Sequence, residues 1–367
     1  MKKVVFICPW GNDKKNSWSG THMGLYTNMS KNFDLVSINT GYNNDFINRI
    51  LCYIDKLLCK IRGCGDMGMF RMKFMNYKLA NKISPDTVRF QFEECPNIIG
   101  KCRKNEAYLY IDLHVGFLKK IFEKEKELYK ISGFGKIKYG VLCRREKQQK
   151  KFMLKCKKIF TMGEWERIEL VNNYGLPSEK VVHVGGGCNI DDSLIDYSDK
   201  RGNKILFVGK DFERKNGPLV VEAYMKAKKI IPDLELYIAG PSDIEYHENG
   251  IFCLGLLSFD ELVPYYNKCD IFCLPSKFEA YGLVFAEALI FGLPCIGKNV
   301  FEMPYFIENG NTGALLENDD SDELCELIIS VISSTEMKNN VIKRKNLYKS
   351  KYSWKNVVNR IQAEIEN

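Results

Sequence analysis

Two glutamates carry the clearest chemistry in this sequence. Glu279 and Glu287 lie eight positions apart in residues 270–294, which read DIFCLPSKFEAYGLVFAEALIFGLP. Carboxylates accept hydrogen bonds from hydroxyl groups, so a loop glutamate and a helix glutamate can flank one polyhydroxylated ligand. The alternative is that both are solvated surface charges. That alternative is weak for Glu287, because apolar residues surround it and a carboxylate among them needs a partner.

A second cluster of suitable residues is basic. Residues 209–217 read GKDFERKNG, which places Lys210, Arg214 and Lys215 between an apolar run at 204–208 and a predicted helix. Lysine offers a point charge, arginine offers a two-pronged hydrogen-bond donor, and both suit a diphosphate. Three solvated charges are the alternative, which the position at a predicted strand end disfavours.

The elements that must position these residues are predicted from apolar runs and helix breakers. Residues 271–274 form a short apolar run typical of a buried parallel strand, and Pro275 ends it. Gly282 then precedes an apolar helix at 283–291. In an open α/β sheet this order places the loop and the helix N-terminus at the carboxyl edge, where anionic ligands bind.

The segment FEAYGLVFAEAL resembles the E-x(7)-E signature of retaining GT-B glycosyltransferases of family four, also called glycosyl transferases group 1. The resemblance implies that Glu279 lies by the sugar of a nucleotide-sugar donor and that Glu287 holds the ribose hydroxyls. It also assigns three residues between them to the donor site: Tyr281, Gly282 and Leu283. Ala280 stands where the family usually has glycine, and Tyr281 where it usually has phenylalanine.

The basic loop carries the same resemblance. The family has Gly-Arg and then Lys five residues after the Arg, and the two cations grip the donor diphosphate. Gly209 and Lys215 match this pattern, whereas Lys210 stands where arginine is usual. Either Lys210 or Arg214 is therefore expected to act with Lys215.

The first half of the chain resembles the family more faintly. A strand at 4–8 leads to Ser19-Gly20-Thr21, which is similar to a donor-facing loop of some of these transferases, and Gly20 would let the backbone approach a ligand. His114 follows a predicted strand and corresponds to a histidine that the family often places near the transferred sugar. The alternative is a strand-end histidine satisfied by its neighbours.

Length and element order predict two domains. The 367 residues suit two α/β domains, each with its own core. The resemblance implies a GT-B fold, in which two Rossmann-like domains face a cleft and a C-terminal helix crosses back to the first. The expected boundaries are 1–190 for the acceptor-binding domain, 200–350 for the nucleotide-sugar-binding domain and 351–367 for the helix. Gly185 to Gly187 are either a hinge or a point of close ligand approach.

Charge is divided unevenly along the chain. Residues 1–180 contain 34 Lys and Arg against 18 Asp and Glu, whereas the remainder contains 20 against 28. The basic half suits an anionic partner, either a membrane surface or a phosphorylated acceptor, unless its charges only solvate one domain. Residues 118–158 are predicted to be one long basic helical region. The apolar spacing in 46–61 predicts an amphipathic helix that lines the core or the cleft rather than anchoring to a membrane.

Other features of the sequence predict that metal sites, membrane spans and a signal peptide are absent. The 14 cysteines and four histidines show no metal-ligand spacing, so no metal and no cofactor is expected beyond the donor substrate. No membrane span or signal peptide is recognisable, which predicts a cytoplasmic protein, with the inner face of the cell membrane as a further location. Nucleic acid is not an expected partner.

These observations favour a metal-independent glycosyltransferase. It would move a sugar from a nucleotide-diphosphate sugar to an acceptor hydroxyl, with retention, in the synthesis of a cell-surface polysaccharide or glycolipid. Glu279, His114 and Lys215 are the catalytic candidates. The acceptor would be a saccharide or a lipid-linked saccharide. Two alternatives stay open: a sugar-nucleotide epimerase of the GT-B type, and an inactive partner protein that only binds a sugar nucleotide.

Overall fold

The computed structural model describes residues 1–10, 13–15, 17–40, 46–59, 70–71, 73–74, 77, 83, 87–92, 106–189, 191–198 and 202–366. The chain divides into two compact units. Unit 1 contains Met1–Gly186 and Trp354–Asn367, and unit 2 contains Gly187–Ser353. A helix that the sequence predicts around residues 98–104 lies outside the described residues.

Unit 1 is built on a six-stranded parallel sheet with the strand order β2-β1-β3-β4-β5-β6. Its strands are β1 (Lys3–Cys8), β2 (Asp34–Asn39), β3 (Val88–Phe92), β4 (Ala107–Ile111), β5 (Lys158–Thr161) and β6 (Val181–His183). Every residue of β3 and β4 is buried. Strands of a parallel sheet are covered on both faces, which explains why they read as nearly continuous apolar runs.

Within the described residues, six helices with defined bounds precede the last strand of unit 1. They are α1 (Thr21–Asn32), α2 (Phe46–Cys59), α3 (Val115–Lys124), α4 (Lys126–Ile131), α5 (Tyr139–Met153) and α6 (Glu164–Ile168). The prediction of one long helical region over 118–158 is wrong, because the chain turns between α4 and α5. Gly133 adopts a φ of 85°, and a Cβ on Gly135 would lie 2.4 Å from the carbonyl oxygen of Lys130.

Helix α2 leaves much of its predicted apolar stripe exposed, in contrast to the prediction that the stripe lines the core or the cleft. Its side chains at 46, 50, 53 and 57 are exposed, and among its described side chains the buried one is the acidic Asp55. The carboxylate of Asp55 accepts hydrogen bonds from the backbone N–H groups of Phe70 and Arg71, at 3.0 and 2.9 Å. The helix is therefore attached through its polar side.

Unit 2 repeats the architecture with a second six-stranded parallel sheet, ordered β12-β11-β10-β7-β8-β9. Its strands are β7 (Lys204–Val208), β8 (Glu235–Ala239), β9 (Ile251–Gly255), β10 (Ile271–Leu274), β11 (Cys295–Lys298) and β12 (Gly313–Leu316). Its helices are α7 (Gly217–Lys228), α8 (Phe259–Lys268), α9 (Leu283–Ile290), α10 (Met303–Phe306), α11 (Ser321–Ser333), α12 (Thr335–Lys343) and α13 (Lys345–Lys351).

The last helix, α14 (Trp354–Glu366), belongs to unit 1. It packs against α1, where a Cβ on Gly24 would lie 2.4 Å from Nε1 of Trp354. The Nε of Arg360 donates to the carbonyl of Val184 at 2.7 Å. Among the described residues, no helix combines the length and apolarity needed to cross a membrane.

Candidate functional site

Two loops of unit 2 come together because of the strand order of its sheet. β7 pairs in parallel with β10 on one side and with β8 on the other. The direction of chain progression therefore reverses between β7 and β10. In an open α/β sheet this reversal opens a crevice at the carboxyl ends of the two strands, where ligands bind. The loops that leave these two ends are residues 209–216 and 275–282.

Lys215 and Glu279 form an ion pair across this crevice. Their side chains are 10 and 13% exposed, so the pair is shielded but still reaches solvent. Gly209 makes room for it, since a Cβ there would lie 2.8 Å from Cγ of Lys215. Burial, and then the charge of Arg214, lower the pKa of Lys215 well below its usual range. The charge of Asp211 acts in the opposite direction and raises the pKa of Lys215.

Arg214 fastens the two loops to each other. Its Nη1 donates to the carbonyl of Phe278 at 2.7 Å, and its own carbonyl accepts from the N–H of Lys277 at 3.0 Å. Its Nε also donates to the carboxylate of Asp211 at 3.2 Å. Lys210, the other predicted cation, is exposed and forms no ion pair within the described part of the chain. Because Arg214 already binds Phe278 and Asp211, Lys210 is more available to a ligand than Arg214.

The start of α9 is shaped by Gly282, which has a φ of 98°. A Cβ at this position would lie 2.9 Å from the ring of Phe285 and 3.2 Å from Cγ of Glu279, so glycine is required on both counts. No side chain caps the helix. The N–H of Phe285 donates to the carbonyl of Gly282 at 3.0 Å, and helix geometry leaves the N–H groups of Leu283 and Val284 without an acceptor inside the helix. Leu283 is half-buried, whereas Tyr281 is buried with its ring against Phe306.

Glu287 lies inside α9 and is buried. Its Oε2 accepts a hydrogen bond from the hydroxyl of Tyr266 at 3.0 Å. Burial raises the pKa of Glu287 to about 7, although the Tyr266 hydrogen bond lowers it. Tyr266 is itself buried on α8 and stacks on Phe291, with ring centroids 5.0 Å apart. Sequence reasoning missed Tyr266, because nothing in the apolar pattern of α8 shows that its hydroxyl meets Glu287.

In unit 1 the loop before α1 has an unusual backbone. Trp18, Ser19 and Gly20 have φ angles of 48°, 52° and 82°, three left-handed residues in succession. Oγ of Ser17 lies 2.7 Å from Nδ1 of the buried His22. Only glycine adopts this region without cost, so the loop is held by its surroundings. The structure thus places Gly20 at the N-terminus of α1, at the carboxyl edge of β1.

His114, the other predicted residue of unit 1, is buried at the start of α3. Its Nδ1 lies 2.9 Å from Oε1 of Glu166, and its ring contacts Tyr174 with centroids 4.5 Å apart. Burial lowers the pKa of His114 to about 3. Burial, followed by the charges of Asp112 and Glu169, raises the pKa of Glu166 well above its usual range. His114 is therefore neutral near pH 7, and burial favours the protonated, neutral form of Glu166.

Glu166 is the second residue that sequence reasoning missed. It lies in α6, where the run Glu164-Trp165-Glu166-Arg167 reads as a charged helix surface. In the structure its Oε2 is buried and has no hydrogen-bond partner among the described residues. No group of three or more histidine, cysteine or carboxylate side chains in the described ranges is placed to hold a metal ion.

The chain is similar to known proteins in sequence. Residues 195–347 match the family model of glycosyl transferases group 1. An uncharacterized glycosyltransferase of Methanocaldococcus jannaschii is 26% identical over 46% of this chain and 50% of its own length. The O-antigen chain mannosyltransferase RfbU of Salmonella typhimurium is 26% identical over 56% of this chain and 60% of its own. The chain thus spans only half to three fifths of these two relatives.

Solved structures extend the likeness to the fold of both units. Sucrose-phosphate synthase from Thermosynechococcus elongatus superposes with a TM-score of 0.70 at 13% identity, covering 99% of this chain and 98% of its own. HepE from Anabaena, crystallised with UDP and glucose, gives a TM-score of 0.64 at 10% identity, covering all of both chains. Together with the two parallel sheets, these matches confirm the predicted GT-B fold class.

Proposed function

We propose that this chain, whose residues 195–347 match the family model of glycosyl transferases group 1, transfers a sugar from a nucleotide-diphosphate sugar to an acceptor hydroxyl. The observation that carries the proposal is the Lys215–Glu279 pair at the reversal point of the unit 2 sheet. A cation and a carboxylate at that point match the two ends of a nucleotide sugar, its diphosphate and its sugar hydroxyls.

The reaction needs stabilisation of the leaving diphosphate. As the bond to the sugar breaks, negative charge develops on the phosphate oxygen. Lys215 and Lys210 supply positive charge from one loop, and the free N–H groups at the start of α9 supply hydrogen bonds from the other. Arg214 holds the loops together and offers its remaining guanidinium N–H groups. In this proposal no metal ion or other cofactor takes part.

Lys215 is neutralised by Glu279 while the site is empty of ligand. An arriving diphosphate competes with the carboxylate for Nζ of Lys215, and the displaced carboxylate is then available to accept from hydroxyl groups of the sugar. The ion pair is thereby replaced by two contacts with the donor, one from Lys215 to the diphosphate and one from Glu279 to the sugar. Because both side chains are largely shielded from water, each new contact is stronger than it would be on an exposed surface.

Glu287 is proposed to hold the ribose hydroxyls of the donor. A carboxylate offers two acceptor oxygens, and Tyr266 already occupies one lone pair of Oε2. His114 is proposed to orient the transferred sugar as a neutral imidazole, since its pKa of about 3 excludes a cation near pH 7. Gly20 is proposed to admit the donor phosphates close to the backbone. Retention of anomeric configuration is part of the proposal.

The acceptor is proposed to be a saccharide or lipid-linked saccharide of a cell-surface polysaccharide or glycolipid. The likeness to the O-antigen chain mannosyltransferase of Salmonella typhimurium supports this class of acceptor. The basic composition of residues 1–180 supports an anionic acceptor or membrane surface. We place this activity in the cytoplasm at the inner face of the membrane. No structural observation favours an epimerase or an inactive binding partner.

The test is thermal melting against a panel of nucleoside diphosphates and nucleotide sugars. A ligand that binds only the folded state stabilises it by about 2.7 kcal/mol at a hundredfold excess over Kd. One nucleoside diphosphate should raise the Tm of the wild type and of Lys229→Met, a control on an exposed lysine of unit 2. Lys215→Met should show little or no shift. A panel without any shift, or an equal shift in Lys215→Met, would remove the support for this site.

The donor found in that panel then decides the reaction. Incubation with candidate saccharide acceptors should yield a glycoside, and NMR coupling constants of its anomeric proton should show the configuration of the donor. An inverted product contradicts retention. Release of a free, isomerised sugar nucleotide without any acceptor identifies an epimerase instead.

A further inference from the structure

Helix α2 presents its apolar side chains to solvent. Phe46, Ile50, Tyr53 and Leu57 are 70, 43, 64 and 59% exposed. Their spacing of four, three and four residues places them in one stripe along one face of the helix. We define these four residues as the α2 stripe. A row of four large apolar side chains that a folded unit leaves uncovered marks a surface for contact with another molecule.

The opposite side of α2 explains why the stripe faces outward. Asp55 lies roughly half a turn away from the α2 stripe, and it is buried. Its carboxylate is held by the backbone N–H groups of Phe70 and Arg71. Arg71 is in turn fully buried and donates through Nη2 to the carbonyl of Thr40, directly after β2. These polar contacts fix the rotation of the helix, so that burying the stripe would require breaking them.

Charge on the same helix indicates what the stripe contacts. Arg49 and Lys56 are exposed and lie on the helix surface next to Tyr53, at one margin of the stripe. Asp55, which is buried, is the only acid in α2. An apolar face bordered by lysine and arginine is the arrangement of helices that lie in the interface of anionic membranes, where the cations meet lipid phosphates.

We propose that α2 is a membrane-docking helix, which inserts the α2 stripe among the acyl chains of an anionic bilayer and sets Arg49 and Lys56 against the headgroups. A second copy of the chain fits the surface less well. A helix of 14 residues offers a stripe about 21 Å long and roughly 10 Å wide. Its area falls well below the roughly 800 Å² that each partner contributes to a stable interface.

The role of this membrane contact rests on the proposed function, because it would bring the transferase to a lipid-linked acceptor. We thereby assign a residue-level contact to the membrane at which a lipid-linked acceptor would be found. We also locate that contact on the helix that follows β2. The proposed membrane contact is on α2 and not on residues 118–158, although the chain is most basic there.

The experiment is co-sedimentation with vesicles of phosphatidylcholine, with and without phosphatidylglycerol. The wild type should sediment with the anionic vesicles and much less with phosphatidylcholine alone. Ile50→Gln/Leu57→Gln should lower the partition coefficient by about tenfold or more. Leu256→Gln/Leu347→Gln is the matched control, because these two leucines of unit 2 are 61 and 60% exposed. This control should sediment like the wild type.

A second variant separates the two components of binding. Arg49→Gln/Lys56→Gln should retain weak sedimentation that no longer depends on phosphatidylglycerol. Light scattering of the wild type without lipid should report a monomer. A dimer that Ile50→Gln/Leu57→Gln dissociates would overturn the proposal in favour of a second copy. Absent sedimentation of the wild type, or equal sedimentation of wild type and Ile50→Gln/Leu57→Gln, would overturn it as well.

The proposed function fails separately from this inference. Nucleotide-induced stabilisation depends on unit 2 and should be the same in Ile50→Gln/Leu57→Gln and the wild type. If nucleotides do not stabilise the wild type, the proposed donor site is refuted. The result with vesicles is not affected by that outcome. Circular dichroism of each variant checks that α2 and the rest of the fold are retained.

Discussion

Two pairs of side chains, one in each unit, join a basic residue to a glutamate. In unit 2, Lys215 and Glu279 are shielded but still reach solvent. In unit 1, His114 and Glu166 are fully enclosed, and burial shifts the pKa of each toward its neutral form. The first pair is an ion pair, and an anionic ligand that competes with Glu279 for Lys215 can open it. In the second pair burial favours the neutral form of both partners, and their hydrogen bond fixes the orientation of the imidazole ring.

The difference shows that the degree of burial, more than the types of residue, decides what such a pair can do. A charged pair that is shielded but not sealed keeps both ions while limiting their screening by water. In a fully buried pair, the loss of hydration of two charges exceeds the attraction between them, and the neutral forms are favoured. Substitutions in these two pairs and at the residues next to them test this contrast.

Removing the cation of the open pair should have the largest effect. Lys215→Met deletes the cation that we propose to stabilise the leaving diphosphate, and it should lower kcat/KM by about 100-fold or more. Steady-state kinetics with the donor identified by thermal melting measure this loss. Because the variant also leaves Glu279 without its cation, Lys215→Met/Glu279→Gln serves as the control for folding. A loss smaller than tenfold in both variants would show that the open pair does not contact the leaving group.

Glu287 is an intermediate case between the two pairs, because its pKa is about 7. Only its carboxylate form has every acceptor available to ribose, so nucleotide affinity should rise as the pH increases through 7 and then level off. Tyr266→Phe removes the hydrogen bond that lowers the pKa of Glu287. The variant should bind about tenfold more weakly at pH 7 and recover at higher pH.

Isothermal titration calorimetry at several pH values follows this change. Glu287→Gln should bind weakly at every pH and lose the pH dependence. If Tyr266→Phe is weakened by the same factor throughout the range, Tyr266 acts through packing and not through the ionisation of Glu287.

The sealed pair should reveal itself in the pH dependence of stability. The pKa of Glu166 is raised on folding, so its contribution is complete below about pH 4.5 and is lost as the pH rises toward its folded pKa. The pKa of His114 is lowered to about 3, so its contribution is complete above about 6.5 and is lost on acidification. The two dependences oppose each other between these values.

Glu166→Gln keeps a neutral side chain of similar size and removes the first dependence only. Relative to this variant, the wild type should therefore lose about 1 kcal/mol or more of unfolding free energy as the pH rises from 4.5 to 7.5. Urea denaturation at several pH values measures the difference. A difference that does not change with pH would mean that Glu166 carries a charge in the folded protein.

The smallest effect is expected at Lys210, which is exposed and not paired within the described residues. An exposed charge is screened by water and contributes at most about 1 kcal/mol. Lys210→Ala should weaken nucleotide binding by roughly threefold, and the difference should vanish at high salt. A loss as large as that of Lys215→Met would place the diphosphate on the exposed side of the loop.

Two strands of unit 2 were predictable to the residue. The apolar runs at 204–208 and 271–274 coincide with β7 and β10. Such strands are buried on both faces, and glycine or proline limits them, so the sequence pattern alone identifies their ends. The GT-B fold class followed from the same elements together with the motif around Glu279.

Unit 1 was less predictable, because the spacing of apolar residues in a helix does not show which part of the protein, if any, packs against them. The spacing in α2 correctly predicts a helix but not that its stripe is exposed. The site shows the same limit. That Lys215 contacts Glu279 depends on β7 lying beside β10, and that Glu166 meets His114 depends on how α6 packs. Contacts between residues distant in sequence follow from topology, which residue types do not encode locally.

The membership of α14 in unit 1 bears on how the chain is made. Unit 2, residues 187–353, is synthesised in full before Trp354–Asn367. Domains usually complete their folding in the order of synthesis. Here the order is reversed for the last step, since α1 waits with the surface around Gly24 uncovered until Trp354 arrives. The unit that starts first is therefore finished last, and the nascent chain exposes apolar surface throughout the synthesis of unit 2.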